Sequence, residues 1–304
     1  MRGSAVAWRL LAVSLLTTQG CSCSPTVRAF VADGDHLVVF EATSFDGEEH
    51  SRLVRLAATN GAEVASKSLA FNGEALIGLG NGTLWLRSES GLVTRSPTTL
   101  EVVEDEAALR SRIPELGVFK TDPVAETTGT RPRGCFDVPT KTFRFPAPDG
   151  RFVGVSFDSG QLVPVDSVGC MARNATDVRA ETPAGPLVFE RLPQSQRQQV
   201  VNQAREALGV SGLELAFLQL PAGALGGDVL VKRTSELGEA GTTQLVRLDV
   251  GARREAWSTE LVRRRSDIED AALIGSNVVL IAGVRLLAID PTTGAVRWSR
   301  GKSD

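Results

Sequence analysis

Asp249 and Asp290 lie 41 residues apart near the end of the chain, and so do Trp257 and Trp298. Two unlike residues sharing one period mark a repeated structural unit, and this interval falls within the roughly 40 to 50 residues of a four-stranded propeller blade. The last copy spells the unit out. Residues 278–282 and 286–289 are apolar, strand-like runs, followed by the turn Asp290-Pro291-Thr292-Thr293-Gly294. There a carboxylate accepts bonds from turn N–H groups, proline presets φ, and glycine tolerates a positive φ. A third run closes on Trp298. Its flat apolar ring suits a position between neighbouring sheets while the indole N–H seeks a carbonyl.

Ala288, Asp290, Thr293, Gly294 and Trp298 match, position by position, the tryptophan-docking repeat of the pyrroloquinoline-quinone-like β-propeller family, which this segment closely resembles. The resemblance implies an all-β fold, a β-propeller, and dividing the exported part of the chain by the 41-residue period gives about six to seven four-stranded blades. It also implies that these residues, with Asp249 and Trp257 one blade earlier, dock neighbouring blades. Weaker copies precede them. Setting Leu56 on Ile289 places Gly61 on Gly294, with alanine in the places of Asp290 and Trp298. Ser96-Pro97-Thr98-Thr99 sets on Asp290-Pro291-Thr292-Thr293, after the hairpin signal Asn81-Gly82. In the middle of the chain residues 104–112 suggest a short helix, residues 127–139 an irregular loop, and 142–145, 152–155 and 162–166 further strands. Residues 194–208 read as an inserted helix on one rim, because Val200, Val201, Ala204 and Leu208 share one face and Gly209 can end it.

The first 20 residues carry Arg2 and Arg9, then the apolar run 10–16 and small residues before Cys21. These are the parts of an export signal, and the run is too short to span a bilayer. Gly20-Cys21 resembles the cleavage and lipidation point of bacterial lipoproteins. The expected organisation is a signal peptide over 1–20, a lipidated tether over 21–26, and a propeller over 27–304. The expected address is the cell envelope, with Ser22 suggesting the outer membrane by the same resemblance. Release into the periplasm is the alternative. In such an oxidising compartment Cys135 and Cys170 are either bridged or two buried thiols, since spacing does not decide connectivity.

The net charge of −3 gives no electrostatic reason to expect nucleic acid. Catalytic material is scarce: there are two histidines, His36 and His50, and no tyrosine. Neither the group Asp46, Glu48, Glu49 nor the group Glu101, Glu104, Asp105, Glu106 completes a calcium loop, so both read as solvated faces. Arg263-Arg264-Arg265, beside acids, reads as a surface loop. The resembled family includes quinone-dependent dehydrogenases that use a disulfide between adjacent cysteines, and no two cysteines are adjacent here. It also includes non-catalytic envelope lipoproteins, among them a scaffold subunit of the outer-membrane β-barrel assembly machine. The expectation is therefore a non-enzymatic scaffold lipoprotein that binds envelope protein partners and touches the membrane through its lipid, without catalytic residues, metal or cofactor. A small-ligand or glycan-binding propeller and a degenerate quinoprotein are the alternatives.

Overall fold

A computed structural model describes residues 25–45, 48–69, 75–88, 91–118, 135–137, 140–146, 151–165, 178–182, 185–189, 214–218, 225–226, 228–234, 241–249, 251–252, 254–263 and 268–302. They form antiparallel sheets in which each strand pairs with its sequence neighbour. The first sheet is β1 (Thr26–Asp33), β2 (His36–Phe45), β3 (Glu48–Ala57) and β4 (Glu63–Ser68). The second is β5 (Ala75–Gly80), β6 (Thr83–Arg87), β7 (Leu92–Arg95) and β8 (Val102–Glu104), followed by α1 (Glu106–Arg112). The third is β9 (Cys135–Asp137), β10 (Thr142–Pro146), β11 (Phe152–Ser156) and β12 (Leu162–Pro164). A two-stranded fourth holds β13 (Val178–Thr182) and β14 (Gly185–Phe189). The fifth is β15 (Glu214–Leu218), β16 (Val229–Thr234), β17 (Thr243–Asp249) and β18 (Arg254–Val262). The sixth is β19 (Ile268–Ile274), β20 (Asn277–Ala282), β21 (Arg285–Ile289) and β22 (Val296–Gly301). This is an all-β propeller, and each four-stranded meander is a blade.

The middle strands carry apolar runs, Leu37–Phe40 on β2 and Val278–Ala282 on β20, because each blade is covered on both faces. Side chains on a strand alternate between faces, and here the two faces feed different cores. Leu37 and Val39 of β2 enter the core shared with the sixth blade, while Val38 and Phe40 enter the core shared with the second. On β20, Val279 and Ile281 face the first blade, and Val278, Leu280 and Ala282 face the fifth. A further core joins the second and third blades, where Trp85 stacks on Phe157 with centroids 4.6 Å apart.

The helix expected over 104–112 begins two residues later, where the Asp105 side chain accepts a bond from Ala108 N–H at 2.9 Å. Its buried Leu109, with Ile113 and Leu116 beyond it, packs into the core between the second and third blades. One expectation is corrected: Cys135–Asp137, placed in an irregular loop, forms a strand. The reason is Phe136, which stacks on Phe157 at 4.7 Å and draws the segment into the third blade. The tether also ends one residue early, since Thr26 belongs to β1. Cys21, Cys170 and the helix expected over 194–208 lie outside the described residues.

The first and sixth blades adjoin without sharing a strand. Val27 N–H donates to the Val284 carbonyl at 3.0 Å, and Lys302 N–H donates to that of Pro25 at 3.1 Å. The start of the described chain is thus fastened to its end.

Candidate functional site

One turn recurs between the third and fourth strands of a blade. Ala57 N–H donates to Ala62 and Gly61 N–H to Ala57, both at 2.9 Å. The same two bonds recur at Ser96 and Leu100, at Ser156 and Gly160, and at Asp290 and Gly294. The fifth residue of each turn has positive φ: Gly61 at 69°, Leu100 at 64°, Gly160 at 65° and Gly294 at 75°. Side chains at the first position fix the turn. Asp290 accepts from the N–H groups of Thr292 and Thr293 at 2.8 and 3.2 Å, and Ser96 does the same for Thr98 and Thr99 at 3.3 and 3.2 Å. The Thr292 N–H bond, helped by Arg297, holds the Asp290 carboxyl below its usual range. Asp249 accepts from Ala252 N–H at 2.8 Å, and Thr293 Oγ1 from Ala295 N–H at 3.3 Å.

Each turn receives a residue from the fourth strand of the preceding blade. Trp257 donates its indole N–H to the Pro291 carbonyl, and Trp298 donates to Ala58, both at 3.0 Å. Pro291 and Ala58 hold the same place in the two turns. Each carbonyl accepts a second bond, from Arg247 Nη1 at 2.8 Å and from Asn277 Nδ2 at 3.2 Å respectively. The glycines are required by closeness as well as by φ. A Cβ on Gly294 would lie 2.7 Å from the Trp257 ring, and one on Gly61 2.7 Å from that of Trp298. Buried Ala288 is the cross-strand partner of Trp298. Of the residues read from the sequence, Trp257, Trp298 and Gly294 thus meet a neighbouring blade, while Asp249, Asp290 and Thr293 bond within their own turns.

Two further joints solve the same problem with other residues. Between the first and second blades the tryptophan place is Ala65 and the glycine place is Leu100, which is fully buried in the core against which Ala65 packs. A small outer residue is matched by a large turn residue. Between the second and third blades the tryptophan place is Glu104. Its carboxylate holds the Arg112 guanidinium from Nε at 2.9 Å and Nη2 at 2.8 Å. Arg112 Nη1 donates to the Gly160 carbonyl and lies 3.4 Å from where a Gly160 Cβ would stand. A planar cation thus covers the glycine where an indole does so elsewhere. The acids expected as a solvated face are consequently engaged: Glu104 holds Arg112, Asp105 caps α1, Glu106 meets Ser88 and Arg110, and Glu101 meets Lys67 at 2.8 Å.

The joint that closes the ring carries a charged clasp that sequence reasoning missed. Glu41, fully buried, takes Arg52 Nε at 2.9 Å and Arg300 Nε, and Arg300 Nη2 reaches Glu63 at 2.8 Å. One signal was available, because Glu41 directly follows the apolar run Leu37–Phe40 and a buried carboxylate needs paired donors. The bond from Arg300 is the main cause that lowers the Glu63 pKa. Burial pulls the Arg300 pKa down, but Glu41 and Glu63 outweigh it and the net shift is upward. A depressed carboxyl stabilises the fold above its unfolded pKa, and that contribution disappears as pH falls through the folded value. The melting temperature is therefore expected to fall below about pH 4 to 5 more steeply in the parent than in Glu63→Gln. Parallel curves from neutral to acid pH would show that Glu63 carries no linkage.

Among the described residues no group of three or more His, Cys, Asp or Glu is gathered closely enough to hold a metal ion. His36 begins β2 and His50 lies near the start of β3, so the antiparallel pairing puts them at opposite ends of the blade. Arg263 is exposed and pairs with Glu260 at 3.2 Å, as a surface loop would. Large apolar side chains are exposed chiefly on outer strands: Val64 on β4, Val102 and Val103 on β8, and Val296 on β22.

No known family profile and no curated protein sequence matches the chain. Among solved structures it is similar to BamB from Moraxella catarrhalis, at 12% identity and a TM-score of 0.24, covering 90% of this chain and 60% of that one. It is similar to the β-propeller domain of the trilobed protease from Pyrococcus furiosus, at 9% identity and a TM-score of 0.31, covering 92% and 84%. It is also similar to the quinohemoprotein alcohol dehydrogenase ADHIIG from Pseudomonas putida, at 11% identity and a TM-score of 0.25, covering 86% and 58%. The chain thus spans less than two thirds of the length of BamB. Likenesses of this degree say nothing of substrate or partner.

Proposed function

We propose that this protein is a lipid-anchored scaffold of the bacterial cell envelope, whose propeller binds protein partners through its outer surface. The observation that carries this reading is where the side chains are spent. Trp257, Trp298, Glu104, Arg112, Glu41 and Arg300 hold blades together, whereas valines stand outward on the fourth strands, Val64 at 57% exposure and Val103 at 58%. Exposed β-branched residues on a strand edge invite another protein surface. The export signal and Cys21 support the address, and the proposed scaffold works without catalytic residues, metal or cofactor.

The test is photo-cross-linking in the native envelope from positions 64 and 103, with exposed Arg263, just past the end of β18, as the control. Reproducible capture of one protein from the valine positions, lost in Val64→Lys and Val103→Lys variants that melt like the parent, supports the scaffold. Quinone-dependent dye reduction by the purified protein, or a stoichiometric bound sugar without any protein partner, overturns it. Cys21→Ala should move the protein from the membrane pellet to the soluble fraction, and retention after a high-salt wash would sink the anchor.

A further inference from the structure

We infer that the ring stands on the lipid surface by the end at which β1 begins, with the docking turns at Gly61, Leu100, Gly160 and Gly294 pointing away from the membrane. The inference rests on the proposed lipid at Cys21 and adds to it an orientation. Pro25 and Val27 are fastened to Lys302 and Val284, which lie past the end of β22 and in the β20–β21 connection. In an antiparallel meander the start of the first strand, the connection of the second to the third, and the end of the fourth share one end of the blade. The opposite end gathers the β1–β2 turn and the docking turns.

Chain reach then decides between the two ends. Cys21 and Pro25 are four residues apart, and four extended residues span at most about 14 Å. The eight residues of β1 rise about 26 Å from the tether end to the docking end. A tether that short cannot bring the docking end down to a lipid headgroup. The far end is also where the outward valines sit, since Val64, Val102 and Val296 fall at the beginning of their fourth strands. Short tether and exposed valines therefore belong to opposite ends, one turned to lipid and the other held clear of it.

The experiment uses the full lipidated chain on vesicles of phosphatidylethanolamine and phosphatidylglycerol that contain a doxyl-labelled lipid. A genetically encoded fluorophore is placed at one of three exposed positions: Arg263 at the tether end, Ser276 at the docking end, or Arg297 on an outer strand. Quenching is expected to be several-fold stronger at position 263 than at 276, with 297, near the start of β22, as weakly quenched as 276. Inserting about twenty Gly and Ser residues after Ser24 should leave vesicle binding intact while removing the difference. Equal quenching at 263 and 276, or the strongest quenching at 276 or 297, overturns the orientation while leaving the anchor in place. A protein that stays in the supernatant, like its Cys21→Ala variant, overturns the anchor itself.

Discussion

Trp298→Ala is expected to lower the melting temperature by roughly 6 to 12 °C, from a loss of about 3 kcal/mol in a domain of this size. The indole packs against the core between the sixth and first blades and donates to Ala58 at 3.0 Å. Its removal opens a cavity at the one joint that ties the two ends of the described chain together. Trp298→Phe keeps most of the ring and loses only the N–H bond, so its cost should be near 1 kcal/mol. If alanine and phenylalanine melt alike, the ring does not carry the joint.

Gly61→Leu should be at least as damaging, because the new side chain meets the Trp298 ring and sits at a φ of 69°. Overpacking of this kind costs about 1 to 3 kcal/mol, and left-handed backbone adds a further cost of about 1 to 2. The molecule contains its own remedy. At the neighbouring joint Leu100 occupies the same turn position at a φ of 64°, opposite Ala65. Gly61→Leu combined with Trp298→Ala recreates that pair. The double variant is therefore expected to be more stable than the sum of the single losses predicts, by at least about 1 kcal/mol in a double-mutant cycle. Strict additivity in thermal or denaturant unfolding would sever the link between the two positions.

Much of this was legible in the sequence, and for a definite reason. Asp290, Gly294 and Trp298 declare their roles locally, since each is the residue type that its own backbone or packing position demands. The 41-residue interval then set the fifth and sixth blades in register. The turn before Leu100 was legible from Ser96-Pro97-Thr98-Thr99, but leucine is not what a positive φ suggests, and only its burial in the core against which Ala65 packs explains it. Arg112 was harder still. It reaches Gly160 from a helix, 48 residues away in sequence, and nothing near either residue announces the pairing. The clasp of Glu41 with Arg300 spans 259 residues, so it becomes visible only when the ring is closed.

The joints also set rules for exchanging parts. Trp257 over Gly294 and Trp298 over Gly61 are the same plug in the same socket, so a second copy of the sixth blade would find both its neighbours compatible. The second blade has no such freedom, because it presents Leu100 to the blade before it and the Glu104–Arg112 pair to the blade after it. A duplicate would set that ion pair against a leucine. This ring can therefore grow or be rebuilt at its tryptophan joints, while the second blade is keyed to a single pair of neighbours.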